Sequence, residues 1–112
     1  MNKLVRTLDA LSDETRLRIF LLLMNGNLCV CELVNILDMK QARISRIMKI
    51  MNESGLTINK RAGKWIVYSV NPEALKLGVV RGLIDDINIS VADLEKLKQC
   101  KKESIRESCC KL

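Results

Sequence analysis

Apolar residues recur along most of this chain at helical spacing. Leu4, Leu8 and Leu11 fall at i, i+4 and i+7, which predicts a first helix over residues 3–11. Ser12 before Asp13 and Glu14 reads as an N-cap followed by an acidic first turn. The helix it opens carries Leu17, Phe20, Leu21 and Met24 on one face and stops at Asn25-Gly26. A third helix is expected from about Cys29, with Val30, Leu33, Val34 and Leu37 as its stripe. Asp38-Met39-Lys40 is a short break, and Ile44, Ile47, Met48 and Met51 mark a fourth helix that ends at Ser54-Gly55. Two short helices joined by about three residues form a helix-turn-helix arrangement.

After Gly55 the period changes. Leu56, Ile58 and the run from Trp65 to Val70 are rich in β-branched and aromatic residues, and Gly63 suits a hairpin turn between them. Pro72 is tolerated in a first helical turn, and the helix after it shows Val80, Leu83, Ile84 and Ile87. Ser90 caps a last helix running to about Lys102, and the remainder is polar. The expected fold is mainly α with a small β-hairpin, a winged helix-turn-helix. Residues 1–88 are assigned to this winged helix-turn-helix domain, and 89–112 to a C-terminal helix and a cysteine-containing tail.

Composition sharpens this picture. A chain of 112 residues with 48% apolar and 29% charged residues supports one packed domain and leaves room for help from a second copy. Its net charge is +6. Lys40, Arg43, Arg46, Lys49, Lys60, Arg61 and Lys64, opposed only by Glu53, place that whole excess within residues 40–64, so the rest of the chain sums to zero. A basic excess confined to one segment is the footprint of a polyanionic partner.

The fourth helix shows how such a partner is met. Ile44, Ile47, Met48 and Met51 fix its buried face, so at about 100° per residue the opposite face is Ala42, Ser45, Arg46 and Lys49, edged by Gln41 and Arg43. Arg pairs with guanine edges, Gln with adenine, and a small Ala can approach a thymine methyl. Ser45 and Lys49 suit phosphate, while Lys40 lies at the helix start and Lys60, Arg61 and Lys64 at the hairpin tip. A basic helix face alone is usually a solvated surface. Here it follows a short turn, precedes a basic hairpin and carries the charge excess, which points to double-stranded DNA. Only Phe20, Trp65 and Tyr68 are aromatic, too few for the stacking platforms of RNA binders.

The chain has no His, which excludes imidazole-based acid–base chemistry, Ser-His-Asp and Cys-His pairs, and metal sites needing imidazole. The longest apolar run, Ile19-Phe20-Leu21-Leu22-Leu23-Met24, is too short for a signal core or a membrane span. The expectation is therefore a cytoplasmic protein with no membrane partner. Its five cysteines, Cys29, Cys31, Cys100, Cys109 and Cys110, are then reduced thiols available as ligands or redox groups.

Three segments, in order, resemble the ArsR/SmtB family of metal-responsive bacterial repressors over residues 8–72. Leu8-Asp9-Ala10-Leu11-Ser12-Asp13-Glu14-Thr15-Arg16-Leu17-Arg18-Ile19 is similar to the family's opening. Leu28-Cys29-Val30-Cys31-Glu32-Leu33 resembles the cysteine box of its arsenic and cadmium/lead sensors. The Gly55-Leu56 turn and Gly63-Lys64-Trp65-Ile66-Val67-Tyr68 are similar to its wing. The recognition helix departs from the family's usual run at Arg43 and Arg46, so operator preference does not transfer. The resemblance implies a homodimer built from the N- and C-terminal helices, repression by the ligand-free form, and release of operator DNA on inducer binding. Leu4, Leu8, Leu11, Val80, Leu83, Ile84 and Ile87 are the dimer candidates, with ordinary core as the alternative for each.

The box cysteines flank Val30. On a regular helix they lie roughly 200° apart, so one ion holds both only if the helix start unwinds. That links thiolate ligation to a disturbed recognition helix. Soft ions suit the site: As(III) or Sb(III), with Cd(II) or Pb(II) as the alternative. Arsenic sensors of the most similar type carry a third Cys three residues after the second; here that position is Val34. A third thiolate would then come from Cys100, Cys109 or Cys110, which also resemble the C-terminal arsenic sites of some family members. The box is preferred over the tail, with a composite site third. Thiol-redox sensing is a rival within the same class. A thiol–disulfide enzyme lacks its Cys-x-x-Cys spacing here, and a metal-binding module that never touches DNA is the remaining alternative.

Overall fold

The computed structural model describes residues 2–86 and 89–102. The elements run α1 (Asn2–Leu11), α2 (Glu14–Met24), β1 (Leu28–Cys29), α3 (Val30–Leu37), α4 (Gln41–Glu53), β2 (Thr57–Ala62), β3 (Trp65–Val70), a 3-10 turn (Ala74–Lys76), α5 (Gly78–Asp86) and α6 (Val91–Lys102). Among the described residues no helix is long and apolar enough to cross a membrane.

Helix α2 is the hub. Five consecutive residues, Ile19 to Leu23, are buried, so the helix is covered on every side at its centre. Ala10 and Leu11 of α1, Leu33, Ile36 and Leu37 of α3, and Ile44, Ile47, Met48 and Met51 of α4 join the same core. Asp13, not Ser12, is the N-cap of α2: its carboxylate accepts from the Arg16 N–H at 3.1 Å. Both residue types cap well, and the Ser12 hydroxyl is instead spent on the Asp9 carbonyl at 2.6 Å. Between α3 and α4, Asp38 takes a left-handed conformation (φ 54°), a conformation its short polar side chain tolerates, which closes α3 and turns the chain into α4.

The hairpin is part of a three-stranded antiparallel sheet in the order β1-β3-β2. Thr57 pairs with Val70 and Ala62 with Trp65 across the wing, and Gly63 (φ 64°) makes its turn. The third strand extends the expected two-stranded wing. Leu28 pairs with Tyr68 and Cys29 with Val67. The single helix expected after Pro72 is also divided: Leu77 is extended (ψ 124°) and separates the 3-10 turn from α5.

Helix α6 begins where Ser90 predicts, the Ser90 hydroxyl accepting from the Asp93 N–H at 3.1 Å. Leu97 and Cys100 sit in the common core, so α6 packs with α2 and α3. A two-bonded ion pair fastens it: Arg18 Nε and Nη2 donate to the Asp93 carboxylate at 3.0 and 2.8 Å. The hydrogen bonds from Arg18 hold the Asp93 carboxyl below its ordinary value against the opposing effect of burial.

This depressed value gives the pair a pH signature. Its stabilisation is fully present above the unfolded carboxylate value of about 3.9 and is lost as pH falls through the lower folded value. Asp93→Asn should cost about 1–3 kcal/mol near neutrality, less than a fully buried pair because Arg18 stays partly in water. Urea unfolding from pH 7 down to pH 3 checks this, and the acid-side loss should be shallower in the variant.

Candidate nucleic-acid interface and cysteine box

The fourth helix presents the face its periodicity predicts. Ile44, Ile47, Met48 and Met51 are buried, while Gln41, Ala42, Arg43, Ser45, Arg46 and Lys49 are exposed. Lys40 is the extended N-cap residue and is exposed as well. None of Lys40, Arg43, Arg46 and Lys49 is ion-paired with another described residue, so their charge is available to an outside anion.

The wing adds a second basic surface. Lys60, Arg61 and Lys64 are exposed. Arg61 Nε donates to the Gly63 carbonyl at 3.2 Å, which ties the side chain to the turn. The Lys64 ammonium stands 5.7 Å from the centre of the Trp65 ring. On β3, burial pushes the Tyr68 phenol up, opposed by its hydrogen bond with Asn59.

The cysteine box differs from the expected helix start. Cys29 has φ −95° and ψ 170°, so it ends β1 and serves as the N-cap of α3. It is buried, with 3% of its surface exposed, and belongs to the packed interior rather than to a helix flank. The 200° separation expected for two helical cysteines therefore does not apply. Cys31 lies in the first turn of α3, is half-buried, and its sulfur is held in a disulfide. Cys29 and Cys100 are reduced.

Glu32, which composition alone did not single out, completes the box. Its side chain is 3% exposed. One carboxylate oxygen accepts from the Cys29 N–H at 3.0 Å, closing a capping box, and the other faces the Lys101 ammonium at 3.3 Å. The signal was present as an N-cap residue followed three positions later by Glu, with Cys where Ser or Thr is usual. Lys101, on α6, has no local sequence signal; its partner lies far along the chain.

Other candidates divide by burial. Leu4 and Leu8 are exposed on α1 at 37% and 40%, beside Val5 at 57%. Leu11 and Val80 are buried in the chain's own core, which fits the alternative of ordinary core for these two. Leu83 and Ile84 are half-buried against that core. Cys100 is fully buried on α6. Ile87, Cys109 and Cys110 lie outside the described residues. Among the described residues no three His, Cys, Asp or Glu side chains are assembled into a metal-ligating group. The donor chemistry of the box, sulfur from cysteine, fits a thiophilic ion.

Residues 13–58 match the family described as bacterial regulatory protein, arsR family. The chain is 45% identical over 69 residues to the arsenical resistance operon repressor of Escherichia coli, an alignment covering 61% of this chain and 59% of that protein. It is 31% identical over 87 residues to the arsenical resistance operon repressor of Bacillus subtilis, covering 77% of this chain and 78% of that one. In three dimensions it is similar to a homodimeric winged helix-turn-helix DNA-binding domain from Mycobacterium bovis, with TM-score 0.67, 23% identity, and 76% and 80% of the two chains covered. The matched segment thus spans about three fifths of the E. coli relative. Relatives and fold alike are those of transcriptional regulators, not enzymes. From its helix-turn-helix, its wing and these matches together, the chain belongs to the arsR family of bacterial regulatory proteins.

Proposed function

We propose that this protein is a dimeric repressor that grips duplex operator DNA through α4 and the wing and lets go when a thiophilic ion such as As(III) or Sb(III) binds Cys29 and reduced Cys31. The observation that carries the reading is the position of Cys29. It pairs with β3 of the wing and opens α3, which packs on α4, so one residue is coupled to both DNA-facing elements.

The connection to the wing is through the sheet. Cys29 is opposite Val67, and Val67 is opposite Lys60. One strand therefore separates the box from a basic residue of the wing, a span of about 10 Å. The connection to the recognition helix is through α3, which packs on α4. The bound ion supplies strong bonds to sulfur. The protein's response is geometric: bringing a buried N-cap residue and a first-turn residue to one point alters the start of α3 and the β1–β3 pairing. Either change shifts a DNA-facing surface.

The relatives described as arsenical resistance repressors support As(III), with Sb(III) grouped on shared thiol chemistry, and Cd(II) or Pb(II) is the alternative on the same chemistry and on a 33% identical relative described as a cadmium resistance transcriptional regulatory protein. The disulfide at Cys31 supports a second reading, in which oxidation of Cys31 is the signal. The exposed apolar residues of α1, Leu4, Val5 and Leu8, supply a face for a second copy, and two copies suit a two-fold operator.

Three outcomes are expected. Arg46→Ala should weaken duplex binding by about 1–3 kcal/mol and relax base preference, whereas Lys49→Ala should weaken it on all sequences and reduce the salt slope by about 0.9; fluorescence anisotropy across a salt series reads both. Cys29→Ser with Cys31→Ser should keep DNA binding and abolish release by arsenite in reducing buffer, with parallel arms in cadmium and peroxide identifying the inducer. Release retained by that double variant would move the site to other cysteines. Leu4→Glu with Leu8→Glu should convert a dimer to a monomer in sedimentation velocity, and an unchanged sedimentation coefficient would remove α1 from the interface.

A further inference from the structure

The buried Glu32 carboxylate is held from two directions. Oε1 accepts from the Cys29 N–H at 3.0 Å, and Oε2 is 3.3 Å from the Lys101 ammonium. The same ammonium donates to the Asn27 carbonyl at 3.0 Å. One side chain of α6 thus spans the segment from residue 27 to residue 32, which contains both box cysteines. Helix α6 is itself anchored, by Leu97 and Cys100 in the core and by the Arg18–Asp93 pair near its start. Lys101 is consequently a cation brought to the box by a fixed helix.

We propose that Glu32 and Lys101 are positioning residues that set the inducer threshold, because together they hold the segment in its DNA-binding geometry. The proposal rests on the reading of Cys29 and Cys31 as the inducer site. Gathering the two sulfurs turns the Cys29 backbone and draws its N–H off Glu32. A buried carboxylate that loses a donor is costly, so the segment resists the change. Lys101 stiffens that resistance by fixing the other carboxylate oxygen and the Asn27 carbonyl at once. A contact made only in the ligand-free state lowers the apparent affinity for the ligand by its own equilibrium factor. Neither residue lies on the α4 face or the wing, and the DNA-binding geometry stays the dominant one without inducer when either is replaced, so ligand-free duplex affinity changes little.

The test uses Lys101→Met and Glu32→Gln in the full chain under reducing conditions. Lys101→Met keeps the apolar stem and removes the cation. Glu32→Gln keeps an acceptor for the Cys29 N–H and removes the charge. Sodium arsenite is titrated in two ways: direct binding by calorimetry without DNA, and release of a labelled duplex. Both variants should bind arsenite about threefold or more tightly, shift release to proportionately lower concentration, and leave ligand-free duplex affinity within about twofold of the parent. Amide exchange of residues 29–33 without ligand should be faster in both.

Unchanged arsenite affinity in both variants, with Cys29→Ser and Cys31→Ser abolishing binding, would overturn the threshold role and leave the box reading standing. Weaker binding in Lys101→Met with tighter binding in Glu32→Gln would assign Lys101 to stabilising the thiolates and also overturn it. Arsenite binding that survives the double cysteine variant would instead sink the box reading itself. Should Glu32→Gln fail to fold, Lys101→Met, on a partly exposed side chain, carries the test alone.

Discussion

Cys29 must satisfy two backbone requirements at once. It has to be extended to pair with Val67, and it has to release its N–H to Glu32 so that α3 can begin at the next residue. An N-cap residue is extended by nature, so the two demands agree. That agreement lets a two-residue strand and an eight-residue helix share a junction with no loop between them. The placement of α4 relative to the wing follows, since α3 sets one and β3 the other. A change at this junction cannot be absorbed by slack chain.

Much of the rest is a consequence of burial. α2 is covered around its middle, and the helices around it supply apolar stripes of ordinary width. The charge pattern is complementary to this arrangement. Residues that carry the basic excess lie on the outer face of α4 and on a wing whose β2 strand, beyond Thr57, is exposed along its whole length. An exposed strand with Lys60 and Arg61 on it resists pairing with another sheet edge and remains available to phosphate. The same cations therefore discourage strand pairing and present positive charge to any outside anion.

The helical part of the fold was legible because each helix announces itself locally. The stripe of α4, the Ser90 cap of α6 and the Asn25 stop of α2 are read within a few residues. What was illegible depends on distant partners. β1 is too short to show a period, and its partner Tyr68 lies in the last strand of the wing. Cys29 therefore reads as the first helical residue until β3 is in place. Leu11 and Val80 sit on the same stripes as outward-facing neighbours, and only the packing around α2 turns them inward. Ser12 and Asp13 are equally good caps, and the competition was settled by the Asp9 carbonyl, which took the serine hydroxyl. For the site, the α4 face and wing were readable from charge and period. The Glu32–Lys101 contact was not, because it joins two helices that the sequence separates widely.

The placement of Trp65 has a practical corollary. It is the chain's single indole, half-buried at the outer end of β3, with the Lys64 ammonium poised near its ring. A polyanion that draws the lysine away changes the electrostatic surroundings of the excited ring. The native protein thus contains an optical probe at the rim of its basic surface, and emission from that one chromophore reports a change in the ring's surroundings with no attached dye.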